Sequence, residues 1–266
     1  MRQTCHLVRR CGNLLNYLNI YHDCVITHHL VHWQNPVPAR ECGYAAWLRE
    51  SLAPQVLRVP GFVSLQLLVL QPVQLQPANP QPWRLCTLYE LDAVDLAEPL
   101  RAFSELARHE PLGSGWLQGD AAHVFELTRP QLNSSLSIDM QAPLHFGFVM
   151  GNCIEGKEAE YDAWYDNIHT PEVLATPDFG GMRRGKLATS QSAPQNAQPA
   201  NRLVLLQIRS YDLHASIKEF IGRALGTSPS GIKWQPRELA ASFASLNRTT
   251  HVLTPFTPRL PATSHG

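Results

Sequence analysis

Charge is scarce in this chain. Only 17% of its 266 residues are ionised acids or bases, against about 25% in an average soluble protein. The 22 basic side chains are matched by 22 acidic ones, so there is none of the basic surplus that a nucleic-acid partner would require. No apolar run approaches the roughly 20 residues needed to cross a membrane, which argues against a membrane partner. The first 24 residues lack a signal-peptide pattern: Arg9 and Arg10 stand where an apolar stretch belongs, and Asn13, Asn16 and Asn19 interrupt the leucines after them. A cytoplasmic location is therefore expected. The six cysteines, at 5, 11, 24, 42, 86 and 153, are too scattered for a disulfide framework. Cys5, His6, Cys11, His22, Cys24, His28 and His29 cluster near the start but show no zinc-knuckle spacing, so no metal is expected. Phosphate loops, dinucleotide fingerprints, nucleophile elbows and a Ser-His-Asp order are all missing. No histidine is marked out as a haem ligand, and no cofactor is implied.

The chain does contain itself twice. Shifted by 117 residues, the stretch from His28 to Phe62 aligns without a gap on that from His145 to Phe179. Identical pairs include His28/His145, Glu41/Glu158, Tyr44/Tyr161, Trp47/Trp164, Pro54/Pro171, Pro60/Pro177 and Phe62/Phe179. Eleven of 35 positions match where composition alone predicts about two. The offset persists at Asp95/Asp212 and Phe103/Phe220, and His123-Val124 returns as His251-Val252 after a longer insertion.

Pattern supplies the elements of each copy. Residues 144–150 alternate as a strand, and residues 158–175 are helical, with Tyr161, Trp164, Tyr165 and Ile168 on one face. Pro171 should bend or segment that helix. Strands come next at 179–187 and 202–208, then a helix capped by Asp212 and reaching Leu225, then a short strand at 251–254. The first copy predicts strands near 25–33, 61–71, 83–91 and 121–128, with helices near 40–58 and 95–109. A polar, Pro/Gln-rich linker separates the second and third strands of both copies. Each copy is thus β-α-β-β-α-β, an α+β ferredoxin-like module with one sheet face covered by helices. Two fused modules can bury their remaining faces on each other as an intramolecular pseudo-dimeric α/β barrel, with no second chain needed to close it. The expected division is an N-terminal extension (1–24), first module (25–130), linker (131–142), second module (143–258) and a tail (259–266) that straps the surface.

The run EYDAWYDNIHTPEVLATPDFGGMRR, from Glu160 to Arg184, resembles the helix-to-strand signature of the dimeric α/β-barrel superfamily, and most closely its EthD-like branch. The resemblance implies His169 as the motif histidine, Trp164 and Tyr165 as helix aromatics, and an enzyme acting on a small hydrophobic organic molecule. The first copy keeps Trp47 and Pro54 but has Leu52 at the histidine position, Leu48 for Tyr165 and Arg49 for Asp166. Any histidine site should belong to the second module alone.

On a helical wheel Asp162 and Asp166 flank His169, seven and three residues before it. A carboxylate beside an imidazole fixes its tautomer and suits it to acid/base work near neutral pH. The expected catalytic set is His169, Asp166 and Tyr165; Trp164, Tyr161, Asp162 and Arg183 are candidates for ligand binding. Dehydration, isomerisation or cyclisation of an oxygenated hydrophobic compound would fit. The competing reading is a non-catalytic barrel that binds such a compound or a partner enzyme. His28/His145 and His123/His251 recur in both copies and so mark the fold at least as readily as a site.

Overall fold

The computed structural model describes residues 25–109, 115–193, 200–236, 240–244 and 248–262. The N-terminal Cys/His cluster lies almost wholly outside them. The first module runs β1 (His28–Pro36), α1 (Glu41–Trp47), a π-helical turn (Leu48–Leu52), α2 (Ala53–Val56), β2 (Phe62–Leu70), β3 (Leu85–Leu91), α3 (Ala97–His109) and β4 (Leu117–Leu127). A two-residue strand, β5 (Leu132–Asn133), leads to the second module. There the order repeats as β6 (Leu144–Gly151), α4 (Glu158–Trp164), a π-helical turn (Tyr165–His169), α5 (Thr170–Leu174), β7 (Phe179–Leu187), β8 (Arg202–Arg209), α6 (Leu213–Leu225) and β9 (Thr249–Pro255). The Asp212 side chain accepts from the Ala215 N–H at 3.0 Å to cap α6, and Gly226 ends it in the left-handed region.

Strand order within each module is the ferredoxin-like 2-3-1-4, antiparallel throughout, and the edges of the two modules join: β4 pairs β7 and β9 pairs β2. The eight strands close into one barrel, which removes every free edge from the main sheet. The two seams repeat pair by pair. Phe125↔Leu187, Glu126↔Lys186 and Leu127↔Gly185 at one correspond to Leu253↔Leu70, Thr254↔Val69 and Pro255↔Leu68 at the other. Irregularities repeat too. A bulge falls between Phe62 and Ser64 and again between Phe179 and Gly181, and positive φ recurs at Ala39/Gly156 and Gly61/Asp178.

The helix is segmented at Pro171 as expected, and the break takes the form of a π turn. Proline offers no N–H and its ring crowds the carbonyl four residues back; widening the preceding turn relieves both problems. Pro54 has the same widened turn before it, so the cause lies in the shared sequence.

Strand alternation sends one set of side chains outward to the helices and the other into the lumen. Leu30, Leu65, Tyr89 and Val124 meet Tyr44, Leu48 and Phe103 on the helix side of the first module. Trp33, Val31, Leu88, Phe125, Phe146, Phe148, Met150 and Leu205 fill the lumen, which is a packed core. Toward one end it turns polar: Glu90 receives Arg183 at 2.6 Å, Arg259 and the Ser64 hydroxyl, with His29 fully buried beside them. The tail does more than strap the surface, since β10 (Leu260–Pro261) adds to β2 and carries Arg259 to Glu90.

The linkers between second and third strands cross to the opposite module. The Gln74 side chain donates to the carbonyl of Val252 at 3.1 Å and accepts its N–H at 2.8 Å. Gln191, 117 residues later, clasps Val124 in the same two-way fashion, at 2.9 Å each. Cys42 is disulfide-bonded, which the spread of cysteines did not suggest; Cys86 and Cys153 are free and buried.

Candidate functional site

Between the sheet and helices of the second module lies a cavity of about 410 Å³. Val149, Met182, Val204, Leu206 and Thr250 form its floor from the helix-facing positions of four strands. Phe220, Ile221, Ala224 and Leu225 of α6 form one wall; Tyr165, His169 and Val173 of the α4–α5 helix form the other. Residues 75–79 of the first module's linker cover it, held down by Gln74 on Val252 and by the Asn79 amide on the Arg248 carbonyl at 2.9 Å. The walls are largely apolar with a few polar atoms, which is the usual make-up of a small-molecule site.

His169 is 6% exposed and boxed by aromatics. Trp164 stacks on its ring at 4.5 Å and 18°, while Tyr165 and Trp234 present edges at 5.3 and 5.5 Å. The ring plane is therefore fixed by packing. Its Nδ1 lies 3.6 Å from the Glu172 carboxylate, beyond hydrogen-bond length but close enough for direct charge interaction. Glu172 is itself anchored, accepting the Gln235 N–H at 2.7 Å.

The carboxylates that the helical wheel put beside His169 go elsewhere. Asp166 pairs with Arg184 and, at 3.1 Å, with Arg129; Asp162 lies 3.9 Å from Arg184. Two physical causes act together: the π turn shifts the wheel between Asp162 and His169, and Arg184 is buried and needs counter-charge. Its guanidinium also lies 5.1 Å over the Tyr165 ring. Arg183 points to the other face of the sheet, into the lumen, and pairs with Glu90 there. Trp164 backs His169 without reaching the cavity wall. Tyr161, 4.7 Å from Tyr165, borders a separate small hollow. Burial first, and Tyr165 next, push the Tyr161 phenol well above its ordinary range, so it stays neutral.

No family model and no curated protein matches the chain in sequence. Solved structures do match. An anthrone oxidase-like protein superposes with a TM-score of 0.59 at 11% identity, covering 90% of this chain and 94% of its own. A protein named "putative monooxygenase" from Fusobacterium nucleatum gives 0.52 at 8% over 89% and 95%, and one so named from Lactobacillus acidophilus gives 0.50 at 8% over 90% and 97%. The fold is that of the dimeric α/β-barrel superfamily.

Within this dimeric α/β barrel the two modules differ at the cavity. In the first, Leu48 and Leu52 stand where the second has Tyr165 and His169, and both are buried in the module's core. Leu30 and Tyr89 stand at the places of Gly147 and Leu206, so at these two helix-facing positions the second module has the smaller side chains. Leu67, fully buried, is replaced by Arg184.

Repeated histidines lie away from the cavity. His145 binds Thr254 at 2.6 Å and the Ser210 carbonyl at 3.3 Å, and His28 contacts Thr27. His123 and His251 are on the lumen side of their strands. The residues missed by sequence reading are Glu172, Trp234, Arg248 and Thr250. Glu172 was legible as the i+3 neighbour of His169, and Arg248 and Thr250 emerge on extending the strand alternation back from Val252. Nothing local marked Trp234, which a loop brings in. Among the described residues no group of three or more His, Cys, Asp or Glu is placed to hold a metal, and no helix is long and apolar enough to cross a membrane.

Proposed function

We propose that the second module is the working half of an EthD-like acid/base enzyme, with His169 moving a proton on a small hydrophobic oxygenated compound held in the cavity. The observation that carries this reading is the setting of His169. A ring fixed by stacking lines an apolar cavity, with an anchored carboxylate at its Nδ1 edge. The Glu172 charge beside the ring stabilises the imidazolium formed once a proton is taken. Tyr165, on the same wall, supplies a phenol for the substrate oxygen on which negative charge develops. Removing a proton next to a carbonyl begins dehydration, isomerisation and cyclisation alike. It also yields the carbanion that dioxygen attacks, the chemistry suggested by the names of the anthrone oxidase-like and monooxygenase neighbours. No step in this scheme calls on a cofactor, and Asp162, Asp166 and Arg183 have no part in it.

The test is proton exchange on an enolisable polycycle. With anthrone in D2O, the wild-type protein should speed deuterium uptake at the acidic carbon. His169→Gln should slow it by about 10²–10⁴-fold with the melting temperature held. Equal exchange by both proteins would remove His169 from the chemistry and favour the non-catalytic reading of a barrel that only binds its ligand.

A further inference from the structure

The cavity has a second polar end. Val252 packs with the helix-side core, so alternation along β9 sends Thr250 to the same side, and Arg248, just before the strand, lines the same cavity. Among the described residues, Arg248 alone on the cavity wall carries a permanent charge. It forms no ion pair among those residues, whereas the buried Arg184 and Arg223 each have a carboxylate. Thr250 is 3% exposed, and its hydroxyl has no hydrogen-bond partner among them. Buried hydroxyls are almost always satisfied, so one left open on a cavity wall beside an unpaired guanidinium indicates a missing polar group. The first module offers no parallel, because Ala122 occupies the place of Thr250.

We propose that the cavity takes a hydrophobic carboxylic acid, its carboxylate seated against Arg248 and Thr250 and its apolar body extending toward His169. One planar guanidinium fork matches a carboxylate in shape and charge, and the threonine hydroxyl donates a further bond to it. A phosphate would bring a second negative charge with no second cation on the wall to meet it. The linker of the first module completes the subsite, since Asn79 holds the Arg248 backbone in place. The inference rests on the cavity being the substrate site but not on His169 being the base.

The test compares 2-naphthoate with its methyl ester, titrated calorimetrically against the full chain. Wild-type protein should bind the acid about tenfold or more tightly than the ester, because a hydrogen bond to a charged group is worth that much. Arg248→Met, which keeps the stem and drops the charge, should cut acid binding by about tenfold and leave ester binding within about twofold; Thr250→Val should weaken the acid alone by a smaller factor. Melting temperatures check that both variants fold, and the acid-to-ester ratio of the wild type stands even where a variant does not. Equal affinity for the two probes, or an Arg248→Met protein that keeps the preference, overturns the carboxylate subsite and leaves the cavity as a binding site. If neither probe binds, both the subsite and the cavity reading fail. Loss of the His169-dependent exchange with the acid preference intact removes only the acid/base reading.

Discussion

His251 should make the barrel acid-labile, and a single substitution should remove its share of the loss. It is fully buried in the lumen, its ring 4.4 Å from that of Trp33 and tilted 34° to it, with no hydrogen-bond partner at either ring nitrogen among the described residues. Burial lowers its pKa from 6.5 to about 4. His29 is likewise lowered to about 4, by burial first and by Arg183 next, with Glu90 opposing. Because the folded values lie below the unfolded one, the unfolded chain binds more protons between pH 6.5 and 4, and stability falls as pH drops through that range. Going from pH 7 to 5, each histidine costs about 1.8 kcal/mol, which for a chain this long is about 4–7 °C in melting temperature. Glu90 behaves differently. Burial raises its pKa, but Arg259, His29, Arg183 and the Ser64 hydrogen bond together bring it to about 2, so its contribution is lost only below pH 4.5. His251→Leu, similar in volume and unable to titrate, should be as stable as the wild type at pH 7 or slightly more so, since two unsatisfied nitrogens disappear. Between pH 7 and 5 it should lose about 2 kcal/mol less than the wild type. Thermal melts followed by circular dichroism at half-unit pH steps would show the curves diverging. Parallel curves would mean that His251 does not change protonation on unfolding, and the account of a neutral imidazole sealed in the lumen would be wrong.

Glu90→Gln should destabilise the fold by about 3 kcal/mol at pH 7, as read by the urea midpoint, because Arg183 and Arg259 lose their shared counter-charge where the two modules meet. An unchanged midpoint would mark the cluster as solvated in practice. Leu206→Tyr installs the residue that the first module has at this place, and it should abolish 2-naphthoate binding while leaving the melting temperature within a few degrees. Retained binding would put the ligand outside the cavity.

Periodicity and self-similarity were enough to read the fold. Tyr44/Tyr161, Trp47/Trp164 and Phe62/Phe179 return at one fixed offset because both modules meet the same packing problem, and alternation such as Phe146-Gly147-Phe148 shows which strand face is buried. The substitutions of Leu52 by His169 and Leu48 by Tyr165 likewise indicated, from sequence alone, which module differs in chemistry. Partner choice within the site was decided by tertiary structure. Asp166 and Asp162 sit near His169 on an ideal wheel, yet a π turn rotates them and Arg184, a strand away, draws them off; Glu172 takes their place. Arg183 and Arg184 are adjacent in sequence, but the pleat sends one into the lumen and the other under Tyr165. The cavity is covered by a linker from the first module that crosses over the second, where Gln74 clasps Val252. Local sequence fixes which face a side chain takes, through short-range sterics and burial. Which charge it meets depends on residues far along the chain that only the closed barrel brings together.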